Sequence, residues 1–245
     1  MSLYGVNLQI MKNSTCQLAL DLRPSPRWGG RREGAGRKPG ACPCDPHRRR
    51  PALAARFPCH VTLHVRRGLP SLRNRRFVTE LRRRLRPACE RRRFRLVHYS
   101  IQTDHIHLIV EASCSPDLAR DMKSIAARIA RTVNRVFSLR GPVLADRYHR
   151  RVLRTPREVR NALAYALLNV RKHWRQRFGV APPVRLDEAS SGRWFDGWRR
   201  EPPGGARAGP REVAQPRTWL LITGWRRHRL IDPGEVPGRS SSRAG

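Results

Sequence analysis

Acidic side chains are scarce in this chain. Eighteen Asp and Glu stand against 52 Lys and Arg, for a formal net charge of +34. A surface so short of carboxylates excludes a cationic partner and points to a polyanion, with nucleic acid ahead of a membrane surface. Lysine is nearly missing too, with four residues at 12, 38, 123 and 172. Arginine therefore carries the charge, and its planar fork pairs bidentately with phosphate and stacks on bases. A GC-rich coding sequence would account for arginine over lysine, but not for the missing acids. No apolar run approaches the roughly 20 residues of a membrane span. The first residues lack the basic, apolar, small-residue order of a signal peptide. The six cysteines (16, 42, 44, 59, 89 and 114) keep no disulfide-like rhythm. The expectation is a reduced, cytoplasmic protein.

Hydrophobic content of 39% is low for a chain packed throughout, so the ends are expected to be polar and loosely ordered. Residues 1–56 read as a basic leader. Its glycine- and arginine-rich stretch, 29–39, suits either a minor-groove arm or a plain linker. Cys42, Cys44, His47 and Cys59 hint at zinc, but a one-residue cysteine spacing fits finger geometry poorly and favours unliganded thiols. Residues 57–178 form the expected domain. Val61, Leu63 and Val65 alternate with His60, Thr62 and His64, which predicts a half-buried strand. A helix follows over about 71–92, kinked or ended by Pro87. Strands over 95–101 and 105–112 are joined by a three-residue link and form a hairpin. Ser115, Pro116 and Asp117 open an amphipathic helix. A short strand is expected at 150–154. Thr155 and Glu158 have capping-box spacing at the start of a last helix running to about Arg177. The order predicts an α+β, ferredoxin-like split βαβ domain, an antiparallel sheet with two helices on one face and an added C-terminal helix. His60, His64, His105 and His107 fall on its open face. Residues 179–245, with prolines, glycines and four tryptophans, read as an irregular tail whose one compact piece is 218–225.

The tripeptide His105-Ile106-His107 carries the first chemical signal. Alternation along a strand puts both imidazoles on one face. Paired neutral imidazoles make half of a divalent-metal site, although hydrogen-bonded strand histidines would look the same. On the last helix, Val159, Leu163, Ala166, Leu167, Val170 and Trp174 share a stripe. Tyr165 lies nearly opposite it, with Asn169 one turn on and Lys172 beyond. A tyrosine there is either a surface aromatic without a role or a nucleophile, which a metal on the attacked phosphate would make competent. His105, His107 and the Asn169 amide oxygen would supply three ligands. That mixed nitrogen and oxygen set suits Mg²⁺ or Mn²⁺, though imidazoles also accept zinc.

The strand motif Asp104-His105-Ile106-His107-Leu108, the later Arg147-Tyr148-His149, and a final helix with Tyr165 and Asn169 four apart together resemble the single-tyrosine HUH transposases. The similarity is greatest to the REP-associated tyrosine transposases and covers about residues 57–178. It implies His105 and His107 as metal ligands, Asn169 as the residue completing the site, and Tyr165 as nucleophile. The implied chemistry cleaves and rejoins single-stranded, hairpin-forming palindromic DNA in a bacterial nucleoid, leaving a 5′-phosphotyrosine and a free 3′-OH. Monomer and homodimer both occur among such proteins.

Tyr148 competes as nucleophile. Otherwise Arg147, Tyr148, Arg150 and Lys172 are expected to contact DNA. The arginine runs 82–84 and 91–93 would contact backbone or form a solvated face. The tail tryptophans would stack unpaired bases or cover the back of the domain. A second class of function is a domesticated nucleic-acid-binding module of this fold without turnover. Histidines rather than aromatics on the sheet face favour the enzyme. Another HUH enzyme, a replication initiator or relaxase, is a third reading. A tyrosine C-terminal to the histidine strand fits a transposase layout better.

Overall fold

The computed structural model describes residues 50–204 and 209–238. The leader up to residue 49, with its glycine- and arginine-rich stretch and with Cys42, Cys44 and His47, lies outside the described residues.

Alternation in β1 (Cys59–His64) buries Cys59, Val61 and Leu63 and leaves His64 exposed. Helix α1 (Arg75–Leu85) begins later than expected because Asn74 caps it, its side-chain oxygen accepting from the backbone of Arg76 and Phe77 at 2.9 and 3.2 Å. It ends in a 3₁₀ turn, Arg86–Ala88, at Pro87. A two-residue strand β2 (Glu90–Arg91) pairs with the start of β3 (Phe94–Ile101), which turns into β4 (His105–Ala112). Helix α2 (Ser115–Val136) has Pro116 and Asp117 in its first turn. Strand β5 (His149–Val152) is followed by α3 (Pro156–Phe178). Both halves of the Thr155–Glu158 capping box are present, and Gly179 closes α3 with φ of 75°.

The sheet order is β2-β3-β4-β1-β5, antiparallel throughout. Without β2 it is the split βαβ order expected from the sequence. His64 stands opposite His105, and Thr62 opposite His107. A bulge between Leu96 and His98 breaks the alternation of β3. Leu96 and Tyr99 thus join the core beneath α1 and α2, with Leu81, Leu108 and Ile125, while Val97 joins the core on the other face.

That second core corrects the expectation of an open histidine face. Val97 and Ile109 of the sheet pack with Leu163 and Leu167 of α3 and with Phe195, Leu220, Trp225 and Ile231 from the segments after α3. From Ala162 to Asn169 every α3 residue except Tyr165 is buried. The helix therefore needs cover on more than one side, and the stripe read from the sequence is only part of its apolar surface.

The tail supplies that cover. Residues 189–191 and 214 run along the free edge of β3: Ile101 donates to the Ala189 carbonyl at 2.9 Å, Ser191 to that of Tyr99 at 3.0 Å, and Ala214 to that of Leu96 at 2.8 Å. The buried Glu111 carboxylate accepts from the backbone of Arg217 and Thr218, at the head of α4 (Trp219–Ile222). A 3₁₀ turn, Gly224–His228, follows α4. Arg160 of α3 forms a bidentate pair with Glu235, both contacts at 2.6 Å. Among the described residues no helix is long and apolar enough to cross a membrane.

Candidate active site

Register and alternation bring five polar side chains to one end of the sheet: His60, Thr62 and His64 from β1, His105 and His107 from β4. The Nε2 atoms of His105 and His107 are 3.0 Å apart. Asp104 Oδ1 lies 2.7 Å from His105 Nδ1. An ionised carboxylate only accepts, so this contact makes Nδ1 the protonated nitrogen and turns a lone pair of His105 Nε2 toward His107. His107 Nδ1 is 3.2 Å from both His60 Nε2 and Thr62 Oγ1. Burial holds the pKa of His107 down to about 2 and that of His60 to about 4, with the other histidines of the cluster lowering the first further and Arg151 the second. Burial also lowers His105, against the pull of Asp104. His60, His105 and His107 are therefore neutral at neutral pH, with nitrogens available as ligands.

Helix α3 lays Tyr165 over this cluster. Its half-buried ring is 5.1 Å from that of His107 and 5.9 Å from that of His60, edge-on to both. Lys172 Nζ sits 4.9 Å from the centre of the tyrosine ring, a cation placed where a phenolate would gain from it. Asn169, one turn after Tyr165, is 0% exposed, and neither its amide oxygen nor its nitrogen has a hydrogen-bond partner. A buried, unsatisfied amide is costly unless something else uses it.

The histidine nitrogens have a spacing that suits a divalent ion. Ligand nitrogens at right angles, with bonds of about 2.1 Å, lie about 3.0 Å apart, the separation of the two Nε2 atoms. The Asn169 oxygen, on the helix that carries Tyr165, is an unpartnered hard donor. Donor atoms of His64, Asp104 and His105 also lie within 4.8 Å of one another. A group able to hold a divalent ion is therefore present.

The remaining site residues divide by face. Arg150 stands opposite Val61 and points to the α1–α2 side, where its guanidinium donates to the Pro51 carbonyl at 2.8 Å. Tyr148 packs against the first core beneath the Arg50 guanidinium, 3.9 Å from its ring centre. Arg147 is exposed, its backbone donating to Asp146. Sequence reasoning passed over His149 and Arg151, which stand opposite Thr62 and His60 on the histidine side. It also passed over His173, whose ring is 6.5 Å from that of His105. Alternation in β5 carries the signal for the first two, once its pairing with β1 is known. The position of His173, one turn after Asn169, carries it for the third.

Much of the expected backbone-contacting charge is engaged internally. Arg83 and Arg84 pair with Glu80, Arg91 with Asp121, and Arg82 donates to the Glu188 carbonyl. Three tail tryptophans are built into the protein. Trp194 donates to Glu212 at 2.7 Å, Trp198 to the Gly192 carbonyl at 3.0 Å, and Trp225 to that of Leu221 at 3.0 Å. Trp219 stays 49% exposed under Arg227.

A ferredoxin-like sheet with a His-x-His strand, crossed by a helix that carries a tyrosine, is the arrangement on which the comparisons bear. Residues 57–151, which hold the sheet and the histidine strand, match the family model described as transposase, IS200 like. The resemblance read from the strand motif is shown for that segment. Among solved structures, that of a REP-associated tyrosine transposase bound to a REP hairpin is similar at 18% identity and a TM-score of 0.41, covering 53% of this chain and 74% of that one. No curated protein matches the chain.

Proposed function

We propose that the protein is a metal-dependent tyrosine transposase or endonuclease that cleaves and rejoins single-stranded, hairpin-forming DNA. Residues 57–178 are its catalytic domain, and the segments after α3 brace it. The observation that carries this reading is the Tyr165 ring lying against His107, whose Nε2 converges with that of His105 at 3.0 Å. Neither histidine pairing nor a lone surface tyrosine accounts for that conjunction beside a sheet whose segment, 57–151, is IS200-like.

His105, His107 and the Asn169 oxygen would hold Mg²⁺ or Mn²⁺, with Asp104 fixing the His105 tautomer. Such an ion supplies positive charge at the nonbridging oxygens of the scissile phosphate. The chain's own groups do the rest. Tyr165 Oη attacks phosphorus. The new Oη–P bond forms as the P–O3′ bond breaks, and the phenol proton is balanced by protonation of the leaving 3′ oxygen. Lys172 stabilises the phenolate during the attack. The products are a 5′-phosphotyrosine and a free 3′-OH, and attack by another 3′-OH reverses the link and rejoins strands. Arg147, Tyr148 and Arg150 are retained as DNA contacts, with Tyr148 and Arg150 reaching a strand that passes along the α1–α2 side. Charge of +34 supplies the general attraction.

End-labelled hairpin DNA with a single-stranded flank, incubated with Mg²⁺ or Mn²⁺, should yield a slow-migrating covalent band on denaturing gels. Tyr165→Phe removes one hydroxyl and should abolish the band while leaving hairpin binding intact. A band that survives in Tyr165→Phe and vanishes in Tyr148→Phe would move the nucleophile. No band from the wild type with either metal would favour a binding module without turnover.

A further inference from the structure

Beyond Lys172, α3 runs past the sheet with an unusual surface. Trp174 and Phe178 are 43% and 51% exposed, their rings tilted at 45° to each other with centroids 4.6 Å apart. Arg177 places its guanidinium 5.3 Å from the centre of the Phe178 ring. Helical rise puts the pair about 14–20 Å along the axis from Tyr165, and helical rotation turns Trp174 to the opposite side. The pair therefore continues the apolar stripe of Leu163 and Leu167 beyond the region where core covers it.

The charge around the pair decides what would cover it. Residues 171–180 contain Arg171, Lys172, Arg175 and Arg177 and no acid. Arg171 is committed to the carbonyls of Pro183 and Gly234. Among the described residues, no carboxylate pairs with Lys172, Arg175 or Arg177. A second copy of the chain would bring the same positive charge to the contact and be repelled. An unpaired nucleic-acid strand offers phosphates for the cations and flat bases for the rings.

We infer that Trp174 and Phe178 form a stacking step for unpaired bases of a single strand, with Arg175 and Arg177 taking its phosphates. This rests on the single-stranded substrate proposed above and assigns a binding surface for the strand outside the cleavage centre. A strand at the tyrosine would reach it by rounding the C-terminal end of α3.

The test compares the full chain with its Trp174→Ala/Phe178→Ala variant on three probes. They are a blunt DNA hairpin, the same hairpin with a flank of about ten nucleotides, and a plain thymine oligonucleotide of that length. The variant should lose about tenfold or more in affinity for the flanked hairpin and the oligonucleotide, and nothing for the blunt hairpin. Trp174→Phe, which keeps a ring, should retain most of the wild-type affinity. Circular dichroism should show an unchanged fold, since both side chains lie outside the core. Unchanged affinity of the double variant for the two single-stranded probes overturns the inference. Equal losses on all three probes overturn it too, as does a shift in sedimentation state with DNA affinity intact, which would make the pair a contact between copies. A wild type that binds no hairpin would sink the proposed function, whereas oligonucleotide binding that depends on the two rings would leave this inference standing.

Discussion

At the scale of single residues, the arrangement around His105 makes a claim that activity alone would not test. Asp104 touches neither His107 nor Tyr165 among the described contacts, yet its 2.7 Å contact to His105 Nδ1 determines which nitrogen of that ring is free. Asp104→Asn should weaken Mn²⁺ binding roughly tenfold or more, with the loss measured by calorimetry on protein without DNA. His107→Ala should remove it. Metal affinity unchanged in Asp104→Asn would reduce that residue to a solvated carboxylate. The same region shows where sequence reading stops. His105 and His107 were legible because two-residue alternation needs no knowledge of partners. Arg150 was placed from its neighbours in sequence, but its side depends on which strand β5 joins, and pairing with β1 turns it away from the histidines.

His98 supports a prediction of acid sensitivity. It is fully buried beside Ser191, and burial holds its pKa down to about 3. The unfolded chain takes up this proton near pH 6.5. Between pH 6.5 and about 3 the unfolded state therefore binds more protons, and stability falls as pH falls. The stabilisation is fully present above pH 6.5. From pH 7.5 to 5 this one group should cost about 2 kcal/mol. Thermal melts over that range should show a shallower decline in His98→Asn than in the wild type, whatever the offset between them. Parallel curves would show that His98 is protonated in the folded protein.

At the scale of elements, capping and periodicity carried the reading well. Thr155 and Glu158 announced α3, and β4 runs from His105 to Ala112 as the alternation requires. Helix α1 was expected too early because the Asn74 cap was not weighed against Ser71. The segments after α3 were opaque for a physical reason. Their anchors are single contacts, such as Glu111 at the head of α4 and Glu235 on Arg160, without a repeating pattern. Those contacts now make a prediction. Glu235→Ala leaves a half-buried guanidinium at Arg160 without its partner, so α3 should be held less firmly over the histidines. Covalent adduct formation should drop several-fold while hairpin affinity stays near wild type. An adduct yield equal to wild type would show that packing alone fixes the helix.

At the scale of the whole molecule, the excess of arginine would set how the protein meets the DNA proposed as its substrate. Each phosphate contact releases counterions, so affinity for a hairpin should fall on the order of a hundredfold or more between 50 and 200 mM salt. The internal pairing of Arg83, Arg84 and Arg91 removes them from that count, so the slope should correspond to far fewer contacts than the net charge. Folded single strands should be preferred over the duplex of equal sequence. Filter binding across a salt series would check both, and a flat response or equal affinities would count against electrostatic capture of folded strands.

The bracing of α3 also has a consequence in time. Arg160 and its partner Glu235 are 75 residues apart. At about 5–20 residues per second, several seconds of synthesis separate the tyrosine helix from the segment that pins it. The sheet and its histidines are made first, so under the proposed function a nascent chain would hold a strand before it could cut one. Ribosomes stalled between α3 and Ile231 would carry a domain that captures DNA without joining to it, and cleavage would begin only once the last anchors had emerged.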